Sequence, residues 1–258
     1  MLERKHQNVI NDSLRFLGSN PIEGLTDWPL LRGPAVDDGR AMEHEDYLRA
    51  GAFIDSGDTE VRAFAEKAAA GAGDKVSRAV KLYYAVRDAV VYDPYYVGEE
   101  PRFFRASDCL RAGRGFCIPK AALLAATARA VGIPARVGYA DVKNHLSSPS
   151  LIELLGTDLF LWHSFTELYL EGQWVKATPA FNVRLCQHFG VEPLEFDGRH
   201  DSLFQEYNQG GRRFMEYAAQ RGSYEDVPYE EIVADFKRVY PRWMALAKNG
   251  ARDFVAEG

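Results

Sequence analysis

One apolar stretch, residues 121–135, constrains the fold of this chain more than any other segment. It makes up most of a predicted helix that runs from Cys117 to about residue 131. Gly132 and Pro134 end this helix, because glycine suits the position after a helix and proline cannot continue one. Polar residues such as Arg129 interrupt the stretch, which is far shorter than the roughly 20 apolar residues that cross a bilayer. The sequence therefore predicts a long helix of a globular domain and no membrane contact.

A small antiparallel sheet is predicted after this helix. Residues 135–142 form a predicted strand, and residues 162–170 and 173–177 form a predicted hairpin. Glu171 and Gly172 close the hairpin, because this pair suits the type I′ turn that two-residue hairpins prefer. Helices packed on one antiparallel sheet give the predicted fold class, which is α+β.

The rest of the chain is divided by its periodicity. Residues 1–57 carry turn signals, and we expect an N-terminal arm packed on the core, with one short helix at 8–17. Residues 58–182 form the predicted core, which begins with two amphipathic helices, the second capped by Asp74. Residues 183–258 form a predicted C-terminal extension that is mostly loop. This extension ends in two predicted helices, at 229–239 and 242–254.

Composition limits the functional classes. The chain has 258 residues, 47% of them hydrophobic, so it can bury a core and is not a disordered chain. Its net charge of −6 argues against a nucleic-acid partner or an anionic membrane surface. Three cysteines are too few for a disulfide framework, and the first residues lack the apolar stretch of a secretory signal. We therefore expect a cytoplasmic protein.

Cys117 is the strongest candidate for a reactive residue. It follows Gly115 and Phe116 and opens the long predicted helix, with Pro119 in the first turn. A thiol at a helix N-terminus meets the positive end of the helix dipole and unpaired N–H groups, which favour the thiolate. The same N–H groups can stabilise the oxyanion that forms when the sulfur attacks a carbonyl. We therefore expect Cys117 to be an ionised nucleophile. The competing interpretation is a buried structural cysteine.

His163 is the predicted partner of this thiol, because a cysteine nucleophile needs a base within hydrogen-bond reach. If Glu171-Gly172 is the hairpin turn, the register places His163 opposite Ala180. Thr178 and Asn182 then lie diagonally on the same face, where a side chain could orient the imidazole.

These motifs in combination resemble the transglutaminase-like superfamily over about half of the chain. The segments that carry the resemblance are Gly115-Phe116-Cys117, Gly132-Ile133-Pro134-Ala135-Arg136, Trp162-His163 and Trp174-Val175-Lys176-Ala177-Thr178-Pro179. The resemblance implies a papain-like fold in which Cys117 is the nucleophile and His163 acts as general base and then acid. The flanking segments look like extensions found in a bacterial subgroup.

The chain departs from the family at one position, because Thr178-Pro179 stands where the family usually has Asp-Pro. Thr178 can accept a hydrogen bond from the imidazole but brings no negative charge. Three alternatives stay open: Thr178 is the third residue, Asn182 takes its place as an amide does in papain-like enzymes, or Asp197 or Asp201 supplies a carboxylate. A dead site is the fourth alternative.

The predicted function is acyl transfer by a cysteine enzyme, through a thioester that water resolves. We expect hydrolysis of an amide or peptide substrate (amidase, deamidase or peptidase) rather than cross-linking. No cofactor and no metal are expected, since the segment from Asp197 to Asp201 matches no zinc or calcium spacing. Two alternatives remain: an arylamine N-acetyltransferase-like enzyme that uses acetyl-coenzyme A, and a degenerate fold retained as a binding or scaffold module.

Overall fold

The computed structural model describes residues 44–145, 147–204 and 215–245. The helices are α1 (Thr59–Ala69), α2 (Lys75–Ala89), α3 (Ala106–Ala112), α4 (Cys117–Ala130), α5 (Pro149–Leu155), α6 (Val183–Phe189), α7 (Tyr229–Val239) and α8 (Pro241–Met244). The strands are β1 (Val91–Tyr92), β2 (Arg114–Gly115), β3 (Ala135–Asn144), β4 (Leu159–Leu170), β5 (Gln173–Ala177) and β6 (Met215–Tyr224). The predicted arm helix at 8–17 lies outside the described residues.

The main sheet has four antiparallel strands in the order β5-β4-β3-β6. Its hairpin has the predicted register, with Leu170 opposite Gln173. Glu171 and Gly172 have φ angles of 49° and 85°, as a type I′ turn requires at both central positions. The predicted α+β class, with the helix that begins at Cys117 packed on an antiparallel sheet, is confirmed.

Strand β6 was not predicted. The segment after residue 182 was expected to be mostly loop before its helices, yet it contributes α6 and a ten-residue strand that pairs with β3. The sequence of β6 contains Gly222 and only scattered apolar residues, so its local β-propensity is weak. Pairing with the buried strand β3 stabilises β6 as an edge strand, and this long-range interaction leaves little trace in the sequence.

Helix α4 is the centre of the helical layer. It packs against β3 and β4 on one side, while α1, α2 and α3 pack around it. Every residue from 118 to 129 is buried. The buried polar side chains find backbone partners: Lys120 Nζ donates to the carbonyls of Arg87 at 2.9 Å and Val90 at 2.5 Å, at the C-terminal end of α2. The helix that carries Cys117 is therefore fixed on all sides.

Local capping signals set the helix limits. The side chain of Asp58 caps α1, and that of Asp74 caps α2 as predicted. Helix α7 spans the residues predicted for it. The second predicted C-terminal helix, 242–254, overlaps α8, and its residues from 246 onward lie outside the described part. Among the described residues, no helix combines the length and apolar character needed to cross a membrane.

Candidate active site

The start of α4 is held by a two-stranded parallel sheet. β1 and β2 pair at Tyr92 and Gly115, and β2 runs directly into Phe116, the N-cap residue of α4. This path requires glycine at position 115, because a Cβ there would lie 2.9 Å from the sulfur of Cys109. Cys117, the first residue of α4, is therefore positioned by tightly packed backbone on its N-terminal side.

The sulfur of Cys117 lies where α4 meets β4. Burial raises the pKa of the Cys117 thiol to about 11, against hydrogen bonds from the N–H groups of Ser164, Ile118 and Cys117 itself. This rise opposes the predicted ionisation of Cys117, a residue that is partly exposed. Withdrawal from water disfavours the negative charge more than the helix N-terminus favours it. Ser164, whose backbone N–H opposes this rise, directly follows His163, so the predicted base is on the neighbouring segment.

His163 lies on β4 opposite Ala140 of β3. The side chain is buried, and its ring centroid is 5.8 Å from that of Phe204. Burial lowers the pKa of the imidazole to about 4, so the ring is neutral at pH 7. Nε2 is buried and has no hydrogen-bond partner within the described residues. Cys117 and His163 line the same cavity, so the structure brings together the two residues predicted to react, both uncharged.

A bulge in β4 directly precedes His163. Ala140 pairs with His163 and Val142 with Phe160, so β4 has one residue more than β3 across this interval. The extra residue leaves Trp162 with a φ of 60°, in the left-handed region that is rare for bulky side chains. A conformation of this kind costs on the order of 1–2 kcal/mol and persists only where surrounding contacts hold it.

Three charged residues hold this conformation, and together with Trp162 we call them the bulge cluster: Asp141 on β3, Arg221 on β6 and Asp235 on α7. Asp141 Oδ1 accepts from the backbone N–H of Trp162 at 3.0 Å and from Arg221 Nε at 2.5 Å. Asp235 Oδ2 accepts from the indole N–H of Trp162 at 2.8 Å and from Arg221 Nη1 at 3.1 Å. The Arg221 guanidinium also stacks 4.3 Å from the indole ring. The cluster therefore fixes the backbone from which His163 projects.

Neither Thr178 nor Asn182, the two candidates for the third position, is hydrogen-bonded to the imidazole of His163. The hairpin ladder ends one residue before Thr178, whose backbone N–H donates to the Ser202 carbonyl at 3.0 Å. The Thr178 hydroxyl is buried and lacks a hydrogen-bond partner in the part of the chain that the structure describes. Asn182 Oδ1 accepts instead from the backbone N–H of Tyr92 at 3.2 Å.

The two alternative carboxylates have local partners. Asp197 Oδ2 is 2.7 Å from Nδ1 of His200, and Asp201 Oδ1 accepts from the backbone N–H of Lys176 at 2.8 Å. The structure therefore shows neither as a partner of His163. Across residues 44–145, 147–204 and 215–245, no group of three or more His, Cys, Asp and Glu side chains is arranged to hold a metal ion.

Sequence reasoning missed the bulge cluster. Asp141 was the available signal, since a carboxylate within a run of buried apolar strand residues needs a buried partner. Its partner Arg221 lies on the strand that was not predicted, so the pairing could not be inferred. The left-handed conformation of Trp162 has no local sequence signature, because bulky residues adopt it only under tertiary constraint.

One family model matches the middle of the chain. The family model described as the transglutaminase-like superfamily matches residues 62–179, and the resemblance predicted from the sequence is confirmed for that segment. No curated protein matches the chain.

Two solved structures are similar to parts of the chain. One, a "putative cysteine protease" from Cytophaga hutchinsonii, shares 19% identity at a TM-score of 0.45, covering 76% of this chain and 51% of that one. Another, a "putative protease" from Parabacteroides distasonis, shares 18% identity at a TM-score of 0.34, covering 46% of this chain and 23% of that one. The chain thus spans about half of the first protein and under a quarter of the second.

Proposed function

We propose, on the premise that residues 62–179 belong to the transglutaminase-like superfamily, that this protein is a cysteine-dependent acyl-transfer enzyme that hydrolyses an amide bond. Cys117 is the proposed nucleophile, and His163 is the proposed general base and acid. The substrate is an amide or a peptide. Water is the proposed final acyl acceptor.

One observation carries this proposal. Cys117 and His163, the two proposed reactive residues, line one cavity. A buried Nε2 without a hydrogen-bond partner among the described residues is available to receive a proton. An accidental pair of structural residues would not be expected to leave such an atom unsatisfied.

The protonation states determine how the first step runs. Because burial raises the pKa of Cys117 to about 11 and lowers that of His163 to about 4, thiol and imidazole are both neutral at pH 7. The thiol proton therefore moves to His163 as the sulfur attacks the carbonyl carbon. The carbonyl π electrons move to oxygen, and the N–H groups at the start of α4 stabilise the oxyanion.

The second half of the reaction returns the enzyme to its starting state. When the C–N bond breaks, His163 gives its proton to the leaving amine and an acyl thioester remains on Cys117. His163 then takes a proton from water, which attacks the thioester. The C–S bond breaks, the acid leaves, and the thiol regains its proton from the imidazolium.

Thr178 is the proposed third residue. Its buried hydroxyl has no hydrogen-bond partner within the described residues and can accept from a ring N–H of His163 when the imidazole is protonated. Asn182 is the alternative, although its Oδ1 already accepts from Tyr92. A neutral acceptor stabilises an imidazolium less than a carboxylate would, so we expect slower turnover than with the family's Asp.

The test combines a panel of amide substrates with mass spectrometry of the intact protein. We expect an acyl adduct on Cys117 that disappears as free acid is released. Cys117→Ser should abolish both signals, whereas Cys109→Ser, at a buried cysteine on α3, should keep them. Undiminished turnover by Cys117→Ser would refute the proposal. Absence of any adduct across the panel would favour the scaffold alternative, and turnover of acetyl-coenzyme A would favour the acetyltransferase alternative.

A further inference from the structure

The cavity beside Cys117 is lined mainly by aliphatic and aromatic side chains. About 80 Å³ of it is open to the centres of water molecules, and one water needs about 10–15 Å³ on this measure, so the cavity can admit a group larger than acetyl. Cys117 and His163 lie on its wall, together with Leu151 and Leu155 of α5. The other polar side chains on the described wall, such as Asn144, carry no charge, and the ring of His163 is neutral at pH 7.

An aromatic wall closes one side. Phe116, Phe236 and Trp243 pack edge-on or tilted, with ring centroids 5.2 to 6.5 Å apart. The indole N–H of Trp243 donates to the carbonyl of Pro94 at 2.7 Å. The Tyr240 hydroxyl, on the same wall, accepts from the N–H of Leu161 and donates to a neighbouring carbonyl. The polar atoms of this wall are thus satisfied by backbone, and apolar ring surface is left for a ligand.

Another part of the wall comes from the chain just after the family match. Leu185 and Phe189 of α6 line the cavity, as does Val191 after that helix. The aromatic wall also contains residues beyond 179, where the family match ends. The segments outside the family core therefore supply a substantial part of the wall next to the nucleophile.

We infer that this cavity binds the acyl part of the substrate and that the enzyme selects large, uncharged, apolar acyl groups. The inference rests on the proposed function, because it places the scissile carbonyl at Cys117 with the acyl group directed into the cavity. Two sources supply such a group: a long alkyl chain, or the apolar side chain of a peptide residue. When an apolar group moves from water into this cavity, the polar atoms of the aromatic wall keep their hydrogen bonds and none is left unsatisfied.

The strength of selection follows from burial. Each methylene that moves from water into an apolar site strengthens binding by roughly fourfold. Affinity should therefore rise steeply with alkyl length and level off once the cavity is full.

The test uses the full-length protein and alkyl chloromethyl ketones with methyl, butyl and nonyl groups. In each reagent the alkyl group stands for the hydrocarbon chain of the acyl group. The Cys117 sulfur bonds to the chloromethyl carbon and displaces chloride, while the thiol proton passes to His163. The second-order labelling rate of Cys117, assigned by peptide mass spectrometry, should increase at least a hundredfold from methyl to nonyl. The chloromethyl ketone of phenylalanine forms a second arm, and whichever arm labels faster identifies the source of the acyl group.

Two variants locate the effect. Val191→Lys puts a charge on the cavity wall at a partly buried position and should reduce nonyl labelling at least tenfold, with methyl labelling unchanged. Val183→Lys makes the same change at a partly buried position on α6 that does not line the cavity, and it should behave as the wild type.

Outcomes for the cavity and for the chemistry are separable. If the methyl reagent labels Cys117 but the rate is flat up to nonyl, the inference is refuted and the proposed function stands. Calorimetry with octanamide, which needs no reaction, covers the opposite case. Octanamide binding that Val191→Lys weakens, without labelling of Cys117 by any reagent, would refute the proposed function and support the apolar site.

Discussion

Lys120 offers the sharpest quantitative test of how this core is built. Its side chain is fully buried one turn after Cys117, and burial lowers the pKa of its amine from 10.5 to about 7. The replacement to make is Lys120→Met, which keeps an unbranched side chain and removes the charge. It also removes the hydrogen bonds to the carbonyls of Arg87 and Val90.

The magnitude follows from the difference between the folded and unfolded pKa of Lys120. Between about pH 7 and 10.5 the unfolded chain holds the Lys120 proton and the folded protein does not. The contribution of Lys120 to the free energy of unfolding therefore rises with pH in this window, by up to about 1.4 kcal/mol per pH unit. From pH 7 to about pH 8.5 the gain is about 2 kcal/mol. Well below pH 7 both states are protonated and the dependence disappears.

Urea unfolding of the wild type and Lys120→Met at these two pH values measures the effect. We expect the wild type to gain about 2 kcal/mol relative to the variant on going to the higher pH. Lys81→Met is the matched control, because the exposed Lys81 also donates to a carbonyl, that of Ala70. This control reports the loss of a lysine and its hydrogen bond at an exposed position. A pH-independent difference for Lys120→Met would show that the buried amine is charged throughout and refute the reasoning.

Three further predictions concern the site and the sheet. Iodoacetamide at about pH 8 should alkylate Cys117 about a hundredfold more slowly in the native protein than in the urea-unfolded chain, because burial raises the thiol pKa from 9.0 to about 11. Mass spectrometry measures the two rates, and equal rates would contradict this prediction. Arg221→Gln should lower the free energy of urea unfolding by about 3 kcal/mol, because it leaves a buried carboxylate without its cation. Arg238→Gln, at an exposed arginine that pairs with Asp235 but lies outside the bulge cluster, should cost under about 1 kcal/mol, and equal losses would refute the prediction. Gly138→Ala should destabilise by about 1–3 kcal/mol in the same assay, since its Cβ would collide with the ring of Phe165 on β4. Gly73→Ala should not, because a Cβ there would meet nothing within 4 Å.

Features with local causes could be predicted from the sequence. The type I′ turn at Glu171 and Gly172 follows from two residues that accept positive φ, and it fixed the hairpin register. The cap at Asp74 depends on a side chain and an N–H group three residues apart. Cys117 and His163 could be paired because the order of helix and hairpin brings their segments together.

Features that depend on distant segments could not be predicted. Strand β6 forms because β3 offers a buried edge, and the cation at Arg221 becomes a partner of Asp141 only once that strand is in place. The rise in the pKa of Cys117 could not be predicted for a related reason. A helix N-terminus is visible in the sequence, whereas the loss of solvent around the sulfur depends on the whole fold.

Because of the bulge cluster, the orientation of the His163 ring depends on β6, an edge strand of the sheet. A polypeptide cut after residue 204 would still carry Cys117, His163 and Thr178, but it would lack Arg221 and Asp235. Trp162 could then relax out of its left-handed conformation and turn the base away from the sulfur. We expect such a truncated protein to keep Cys117, His163 and Thr178 and to lose the proposed activity, so the proposed catalysis would depend on a segment far from these residues in the sequence.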